Sequence, residues 1–253
     1  MVTELATATN RKLDGAESSS SAALKRTARV TGLWYLALAI TGMVGFLIVR
    51  PQIFAEGDAA ATLANLTGNE ALARLGLVAE TGVVVAQALA AVWFYKLFRS
   101  INHVAAWALA IFGMMNAVAI MASAAFLATA LSVAGDSGLA VGGDAAGTVQ
   151  LMYELSTNSW GVGAMFFGLW LIPMGYVVVT SGRMPVWLGR ILIVGGAGYV
   201  LSAFVGYGIV GAESWLVEGL TYPATIGEFW MIGYLLTVGI RPPAAASESP
   251  QVA

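Results

Sequence analysis

The chain has 253 residues, of which 58% are hydrophobic and 10% charged, and its mean hydropathy is +0.79. A soluble domain carries about 25% charged residues, so this composition excludes a soluble globular protein and indicates a chain solvated mostly by lipid. The absence of cysteine and the single histidine, His103, exclude thiolate chemistry and multi-histidine metal sites, and the net charge of −2 gives no reason to expect nucleic acid as a partner.

The two ends of the chain differ from its middle. Residues 1–27 are polar and rich in serine, and residues 242–253 are short, polar and rich in proline and alanine. Such compositions cannot bury a core. The sequence therefore predicts a disordered cytoplasmic tail over 1–27, a transmembrane domain over 28–241 and a second disordered cytoplasmic tail over 242–253.

The middle of the chain contains six apolar windows, each long enough to cross a hydrocarbon core of about 30 Å. They are residues 30–49, 75–95, 104–133, 155–180, 191–210 and 224–240. The third window exceeds the length of a span, which predicts tilt or an extension beyond the bilayer. The fold class predicted is all-α, a polytopic integral membrane helix bundle with six transmembrane helices.

The basic residues between the windows predict the orientation. Lys and Arg collect before the first window, in the 96–103 and 181–190 turns and at Arg241, whereas the opposite loops hold most of the acidic residues. Because Lys and Arg in short loops stay on the cytoplasmic side, both termini are expected in the cytoplasm. We expect a multi-pass protein of the plasma membrane, with the lipid bilayer as its surroundings.

Small residues recur at four-residue spacing in several windows, and such stripes allow helix backbones to approach closely in lipid. The stripes are Ala37, Thr41 and Gly45; Ala164 and Gly168; and Gly198, Ser202 and Gly206. Packing within one bundle is the preferred interpretation, and a homodimer seam is the alternative.

Several segments resemble a known family when their order and spacing are taken together. They are ARVTGLWYL at 28–36, GDAAATLANL at 57–66, ARLGL at 73–77, FFGLWLIPMGY at 166–176, SGRMP at 181–185, LGRILIVGGAGYV at 188–200 and IGEFW at 226–230. The chain resembles an uncharacterised bacterial multi-pass membrane family, catalogued as domain of unknown function 4386, from about Ala28 to Ile240. The resemblance implies a fold and a membrane location, and it implies no catalytic residue.

Polar residues near the outer ends of the windows form a candidate site, because ionisable groups at membrane depth are costly. The candidate polar pocket consists of Glu80, Glu228, Arg74, Glu154, Asn158 and Arg50. In the functional interpretation these groups line an outward-facing pocket where an arginine holds an anionic group or pairs with a glutamate, or where a carboxylate takes up a proton.

A structural interpretation competes with this one. Thr225 and Glu228 fit an S/T-x-x-E capping box at the start of the sixth helix, Glu80 can pair with Arg74, and Glu154 can lie among the headgroups. Asn116, in the middle of the third window, is expected to form an interhelical hydrogen bond. Asp58 is expected to cap a short helix at the outer surface.

Known membrane chemistries find no support in the sequence. No window contains a lysine for a retinal Schiff base or an aspartate pair for proteolysis, and a HExxH zinc site needs two histidines. We therefore predict no catalytic residue, metal site or cofactor, and an enzyme is the weakest class. The first hypothesis is a small transporter or a solute- or lipid-binding protein, expected as a homo-oligomer. The second is a regulatory or scaffold protein that binds another membrane protein through its helices.

Overall fold

The computed structural model describes the backbone of residues 2–241 and the side chains of residues 19–241, and all regular secondary structure in this part of the chain is helical. The helices are α1 (Val2–Gly42), α2 (Arg50–Ile53), α3 (Ala59–Gly68), α4 (Glu70–Phe98), α5 (His103–Gly135), α6 (Ala145–Ser181), α7 (Val186–Gly208), α8 (Ser214–Gly219) and α9 (Tyr222–Thr237). A π-helical segment, Met43–Val49, joins α1 to α2. The all-α class is therefore as predicted.

Side-chain caps fix the starts of three helices. Asp58 accepts a hydrogen bond from the Ala61 N–H at the start of α3, which confirms the predicted cap. Asn102 caps α5, and Asp144 caps α6. Because Asp144 caps α6 well before the apolar window at 155–180, the helix extends beyond that window on its N-terminal side. Composition alone did not predict this extension.

Five helical segments are long and apolar enough to cross a membrane: Ser19–Ile53, Glu70–Phe98, His103–Gly135, Ala145–Ser181 and Val186–Gly208. These match the first five predicted windows. The sixth window corresponds to α9, which has 16 residues and a length of about 24 Å. The fold thus contains five candidate membrane-spanning helices, and the sixth span stays a prediction.

The long helices form a closed ring. Along the chain, α1 packs against α4, α4 against α5, α5 against α6, and α6 against α7. The ring closes because α9 packs against both α7 and α1. The first and last helices of the ring therefore pack side by side.

Aromatic rings fill the centre of the ring. Trp170, Tyr35 and Phe94 are almost fully buried, and each pair of these rings meets edge to face with centroids 5.4–5.6 Å apart. A second, smaller core lies at the end of the bundle that the basic residues predict to face outward, which we call the outer end. Here α3 packs on α5 and α6 through Leu66, Val133 and Val149. The outer core holds the loop between α2 and α4 against the bundle.

The small-residue stripes pack inside the bundle. A Cβ atom on Gly168 would lie 2.6 Å from the Gly196 carbonyl oxygen, and one on Gly198 would overlap the Leu220 carbonyl oxygen. Thr41 packs on Gly82 of α4 in the same way. These contacts confirm the interpretation of the stripes as intramolecular packing surfaces.

Of the two predicted tails, only the N-terminal one lies within the described backbone. The α1 helix begins at Val2, so its backbone is helical through the segment predicted as an N-terminal tail. The predicted tail over 242–253 lies outside the described residues. The division of the chain into two tails and a central domain stays a prediction.

Candidate functional site

A cleft of about 710 Å³ lies between the helices at the outer end of the bundle. Its walls are mostly apolar, with Leu38, Met43 and Phe46 on the side of α1 and Phe229 and Ile232 on the side of α9. Polar groups form a small part of the lining. A mostly apolar cleft with a few convergent polar groups is the usual form of a small-molecule site.

The position of the cleft follows from the way α1 and α9 diverge. Near their inner ends the helices touch, because a Cβ on Gly32 would lie 3.0 Å from the Leu235 side chain. Toward the outer end, Leu47 on the π-helical segment and Tyr222 on α9 line opposite walls of the cleft. The cleft is therefore the space left where the first and last helices separate.

The π-helical segment shapes one wall of the cleft. Met43, Phe46 and Leu47 all belong to this segment and all line the cleft. Interruptions of this kind inside α-helices are found frequently at functional sites. The irregular part of the first span thus coincides with the cleft.

Glu228 lies at the floor of the cleft, where it meets α1. The Tyr35 hydroxyl donates a 2.7 Å hydrogen bond to Glu228 Oε1. Tyr35 is 1% exposed, whereas Glu228 is partly accessible from the cleft. Glu228 is six residues beyond the first residue of α9, about 9 Å along the helix, so a carboxylate faces the cleft well inside the bundle.

The capping interpretation of Glu228 is wrong. The N-cap of α9 is Thr221 and the helix starts at Tyr222, so Thr225 and Glu228 lie inside the helix. Pro223 in the first turn moved the start, because proline fits the first helical positions and lacks the N–H that would otherwise need a partner. Glu228 is consequently free to bond to Tyr35.

Glu80 belongs to a different group of side chains, on the other side of the π-helical segment. Arg50 Nη2 lies 3.2 Å from Glu80 Oε1, and the side chains are 10% and 3% exposed. Ser123 donates a 2.8 Å hydrogen bond to Glu80 Oε2, and the Trp160 indole N–H donates one of 3.2 Å to Oε1. Arg50 also donates to Ser156 and Thr157. The buried ion pair is thus surrounded by hydrogen-bond partners, as burial of charge requires.

Trp160 separates the ion pair from the cleft. Its indole N–H points to Glu80, while the residue also lines the cleft and its ring packs on Phe46 with centroids 5.2 Å apart. On its other side the ion pair borders a cavity of about 20 Å³, room for roughly one water molecule. The ion pair is therefore a filled structural centre, and the cleft is the open site.

The structure brings only part of the predicted pocket together. Arg50 pairs with Glu80, but Arg74 pairs with Glu70 at 2.6 Å on the exposed surface of α4. The expected Glu80–Arg74 pair is thus replaced by the Arg50–Glu80 pair. The sequence could not distinguish them, because α2 carries Arg50 back over α4 only in the folded chain.

Glu154 and Asn158 lie on α6 outside both groups. Glu154 accepts a 3.3 Å hydrogen bond from Gln150, and the Asn158 side chain donates to the Glu154 carbonyl one turn earlier. Neither residue lines the cleft. The predicted pocket is therefore divided into the Arg50–Glu80 centre, the Glu228 cleft and a surface group.

Asn116 forms the interhelical hydrogen bond that its position predicts, donating to Gln87 Oε1 at 3.4 Å. Asn116 also lines the deep part of the cleft, so one residue serves both packing and lining. Among residues 19–241, no three His, Asp or Glu side chains lie close enough together to hold a metal ion.

Sequence reasoning missed Tyr35 and Trp160 as site residues. Tyr35 is 1% exposed and Trp160 lines the cleft. Ser156 was missed as well. Its only signal was a serine four residues before Trp160 on one face of α6, which also occurs in helices without any site.

Comparisons with known proteins identify a family and give no activity. A family model described as "Domain of unknown function (DUF4386)" matches residues 30–239. An "Uncharacterized protein" of Archaeoglobus fulgidus is 32% identical over 75 residues, which cover 28% of this chain and 43% of that protein. The chain therefore spans less than half the length of this curated relative. No solved structure gives a significant match.

Proposed function

We propose that this chain, which belongs to the family described as "Domain of unknown function (DUF4386)", binds a small amphiphilic molecule in the cleft between α1, α6 and α9. The observation that carries the proposal is a carboxylate, Glu228, on the floor of an otherwise mostly apolar cleft. A volume of about 710 Å³ falls inside the range of about 300–1,000 Å³ common for small-molecule sites. The protein is then a solute- or lipid-binding membrane protein, or a small transporter.

Six spans with both termini in the cytoplasm form part of the proposal. The length of α9, about 24 Å, is short for a hydrocarbon core of about 30 Å. The segment from Ile209 to Thr221, which includes α8, precedes α9 on the outer side. A short last span with α8 at its outer end accounts for a cleft that is open outward.

The inner end of the bundle supports the orientation. The backbone N–H of Arg241 donates to the Arg183 carbonyl at 3.3 Å, so the end of α9 lies beside the α6–α7 turn. Lys25 lies next to Gly239, which brings the start of the apolar part of α1 to the same end. Clustering of these basic residues at one end favours a cytoplasmic location for it in a plasma membrane.

Transport is supported by the depth of the carboxylate. Binding sites of small carriers lie near the middle of the membrane, often beside irregular helix segments. Glu228 lies inside α9, and the π-helical segment Met43–Val49 forms the facing wall. Binding is the minimal function, and movement of the ligand across the membrane would be its extension.

The scaffold alternative has less support. Its predicted contact surfaces were the small-residue stripes, and Gly168 and Gly198 pack against other segments of the same chain. A partner protein would have to bind a different surface. The homo-oligomer expected for a carrier of this size stays a prediction.

A matched pair of glycine variants tests the cleft. Gly42 lines the cleft and Gly233 lies outside it, both are helical, and a Cβ at either would meet no atom within 4 Å. Binding of triphenylphosphine oxide, a neutral compound with an apolar body, is measured by equilibrium dialysis on the purified chain in maltoside micelles. We expect Gly42→Phe to remove most of the specific binding and Gly233→Phe to retain it. Equal binding by both variants and the unmodified chain would reject the cleft as the site.

A further inference from the structure

We infer that the ligand of the cleft is a small organic cation, in which an apolar or aromatic body carries one positive charge that sits against Glu228. This inference rests on the proposed function, since it names the chemistry of the molecule that the same cleft would hold. It follows from the charges, the hydrogen bonds and the aromatic rings that line the cleft.

The ionisable side chains of the cleft are all acidic or phenolic. Glu228 lies at the floor and Glu218, which is exposed, lies at the mouth, and the lining contains no Lys, Arg or His. Among residues 19–241 the ion pairs are Arg50–Glu80 and Arg74–Glu70, so neither Glu218 nor Glu228 has a basic partner. An anionic ligand would meet repulsion along the whole cleft, and a cation would meet attraction.

The nearest strong positive charge is neutralised inside the protein. Arg50 donates to Thr157, a residue of the cleft wall, but its guanidinium also pairs with Glu80 at 3.2 Å and lies over the Phe46 ring at 5.4 Å. With Phe46 and Trp160 packed between this pair and the open space, Arg50 does not offer its charge to a ligand. The ionisable groups that the cleft offers to a ligand are therefore acidic or phenolic.

Glu228 keeps acceptor capacity for a ligand. Tyr35 donates to Oε1, and within residues 19–241 no hydrogen bond is made to Oε2. A carboxylate has room for about four hydrogen bonds, and burial without a charged partner is costly. A ligand ammonium group beside Oε2 would supply the missing partner.

Aromatic side chains surround the same space. Tyr35, Tyr199, Phe167 and Trp160 line the cleft together with Phe229. Faces of aromatic rings attract cations at distances up to about 6 Å, most strongly where water is excluded. A bare metal ion would not suit such walls, because it needs several oxygen ligands at once. An organic cation matches both the carboxylate and the rings.

Three probes of similar shape and different charge test the inference on the purified full chain in maltoside micelles. They are the cation tetraphenylphosphonium, the neutral triphenylphosphine oxide and the anion tetraphenylborate. Specific binding is the binding to the unmodified chain minus that to Gly42→Phe, which removes partition into the micelle. We expect tetraphenylphosphonium to bind at least about tenfold more tightly than the other two, as an uncompensated carboxylate predicts.

Charge-matched variants locate the effect. Glu228→Gln should weaken tetraphenylphosphonium binding about tenfold or more, while a circular-dichroism spectrum that matches the unmodified chain shows that the variant is folded. Glu154→Gln removes the same charge from α6 outside the cleft and should leave tetraphenylphosphonium binding unchanged.

The outcomes separate the two proposals. Specific binding of all three probes with similar affinity would overturn the inference and retain the cleft as a binding site. Preference for tetraphenylborate, or a cation preference that persists in Glu228→Gln, would also overturn the inference. Absence of specific binding for every probe would reject the proposed function itself.

Discussion

Tyr35 on α1 and Glu228 on α9 are 193 positions apart in the chain, and the Tyr35 hydroxyl donates a 2.7 Å hydrogen bond to Glu228 Oε1. The bond joins the first and the last long helix of the ring at the floor of the cleft. It therefore closes the bundle and orients the carboxylate that we assign to ligand binding.

Removal of this bond should be measurable as a coupling energy. Tyr35→Phe keeps the ring contacts with Phe94 and Trp170 and deletes the donor. In a double-mutant cycle with Glu228→Leu, which removes the acceptor, unfolding in micelles followed by circular dichroism should give a coupling of about 1 kcal/mol, typical of interhelical hydrogen bonds in membranes. Tyr207→Phe, at an exposed residue with a 3.4 Å bond, should cost less than about 0.5 kcal/mol. A coupling near zero would show that the two side chains are energetically independent.

The two ion pairs found among residues 19–241 should respond differently to neutralisation. The Arg50–Glu80 pair is buried, with side-chain exposures of 10% and 3%, while Arg74 and Glu70 are 64% and 59% exposed. Glu80→Gln should lower the free energy of unfolding by about 3 kcal/mol, because it leaves a buried guanidinium without its partner. Glu70→Gln should lower it by about 0.5 kcal/mol or less.

The same unfolding assay measures both variants. If Glu80→Gln proves as mild as Glu70→Gln, water reaches the Arg50 guanidinium and the buried centre described above is incorrect. Arg50→Met combined with Glu80→Gln should recover part of the loss, since an apolar replacement of both partners leaves no unpaired charge.

Close packing of α6 on α7 should make Gly168 sensitive to a single methyl group. A Cβ on Gly168 would lie 2.6 Å from the Gly196 carbonyl oxygen and 2.7 Å from Tyr199 Cβ, so the helices must separate in Gly168→Ala. We expect a loss of about 2 kcal/mol, within the range known for overpacked cores. Gly233→Ala, where the new Cβ meets no atom within 4 Å, should change stability by less than about 1 kcal/mol. Equal stability of the two variants in a thermal unfolding assay would contradict the backbone contact.

Cysteine labelling tests the six-span topology, because the native chain has no cysteine. With a membrane-impermeant maleimide on intact cells, Ser137→Cys and Ser214→Cys should react from outside. Ser100→Cys and Arg241→Cys should react only after the membrane is permeabilised; all four positions are exposed in the fold. Labelling of Arg241→Cys from outside would show that α9 does not cross, and labelling of Ser100→Cys from outside would reverse the orientation.

Much of the fold could be predicted because lipid imposes strong constraints on the sequence. A helix that crosses a bilayer needs about 20 apolar residues, so the windows at 30–49 and 75–95 fall inside long helices of the structure. Caps are similarly local, and Asp58 bonds to the N–H three residues further on, as its type and position predict. The start of α9 was predicted wrongly because a capping box and a proline at the first helical positions gave conflicting local signals.

Composition and the spacing of apolar residues are sufficient to predict an all-helical membrane protein with polar groups toward one end. Which charged side chains form ion pairs depends on the tertiary fold. It paired Glu80 with Arg50, left Arg74 on the surface and placed Glu228 beside Tyr35 in an open cleft. Contacts between distant helices depend on the π-helical segment and on the divergence of α1 from α9, which together set where side chains lie. Hydrophobic periodicity predicts neither feature.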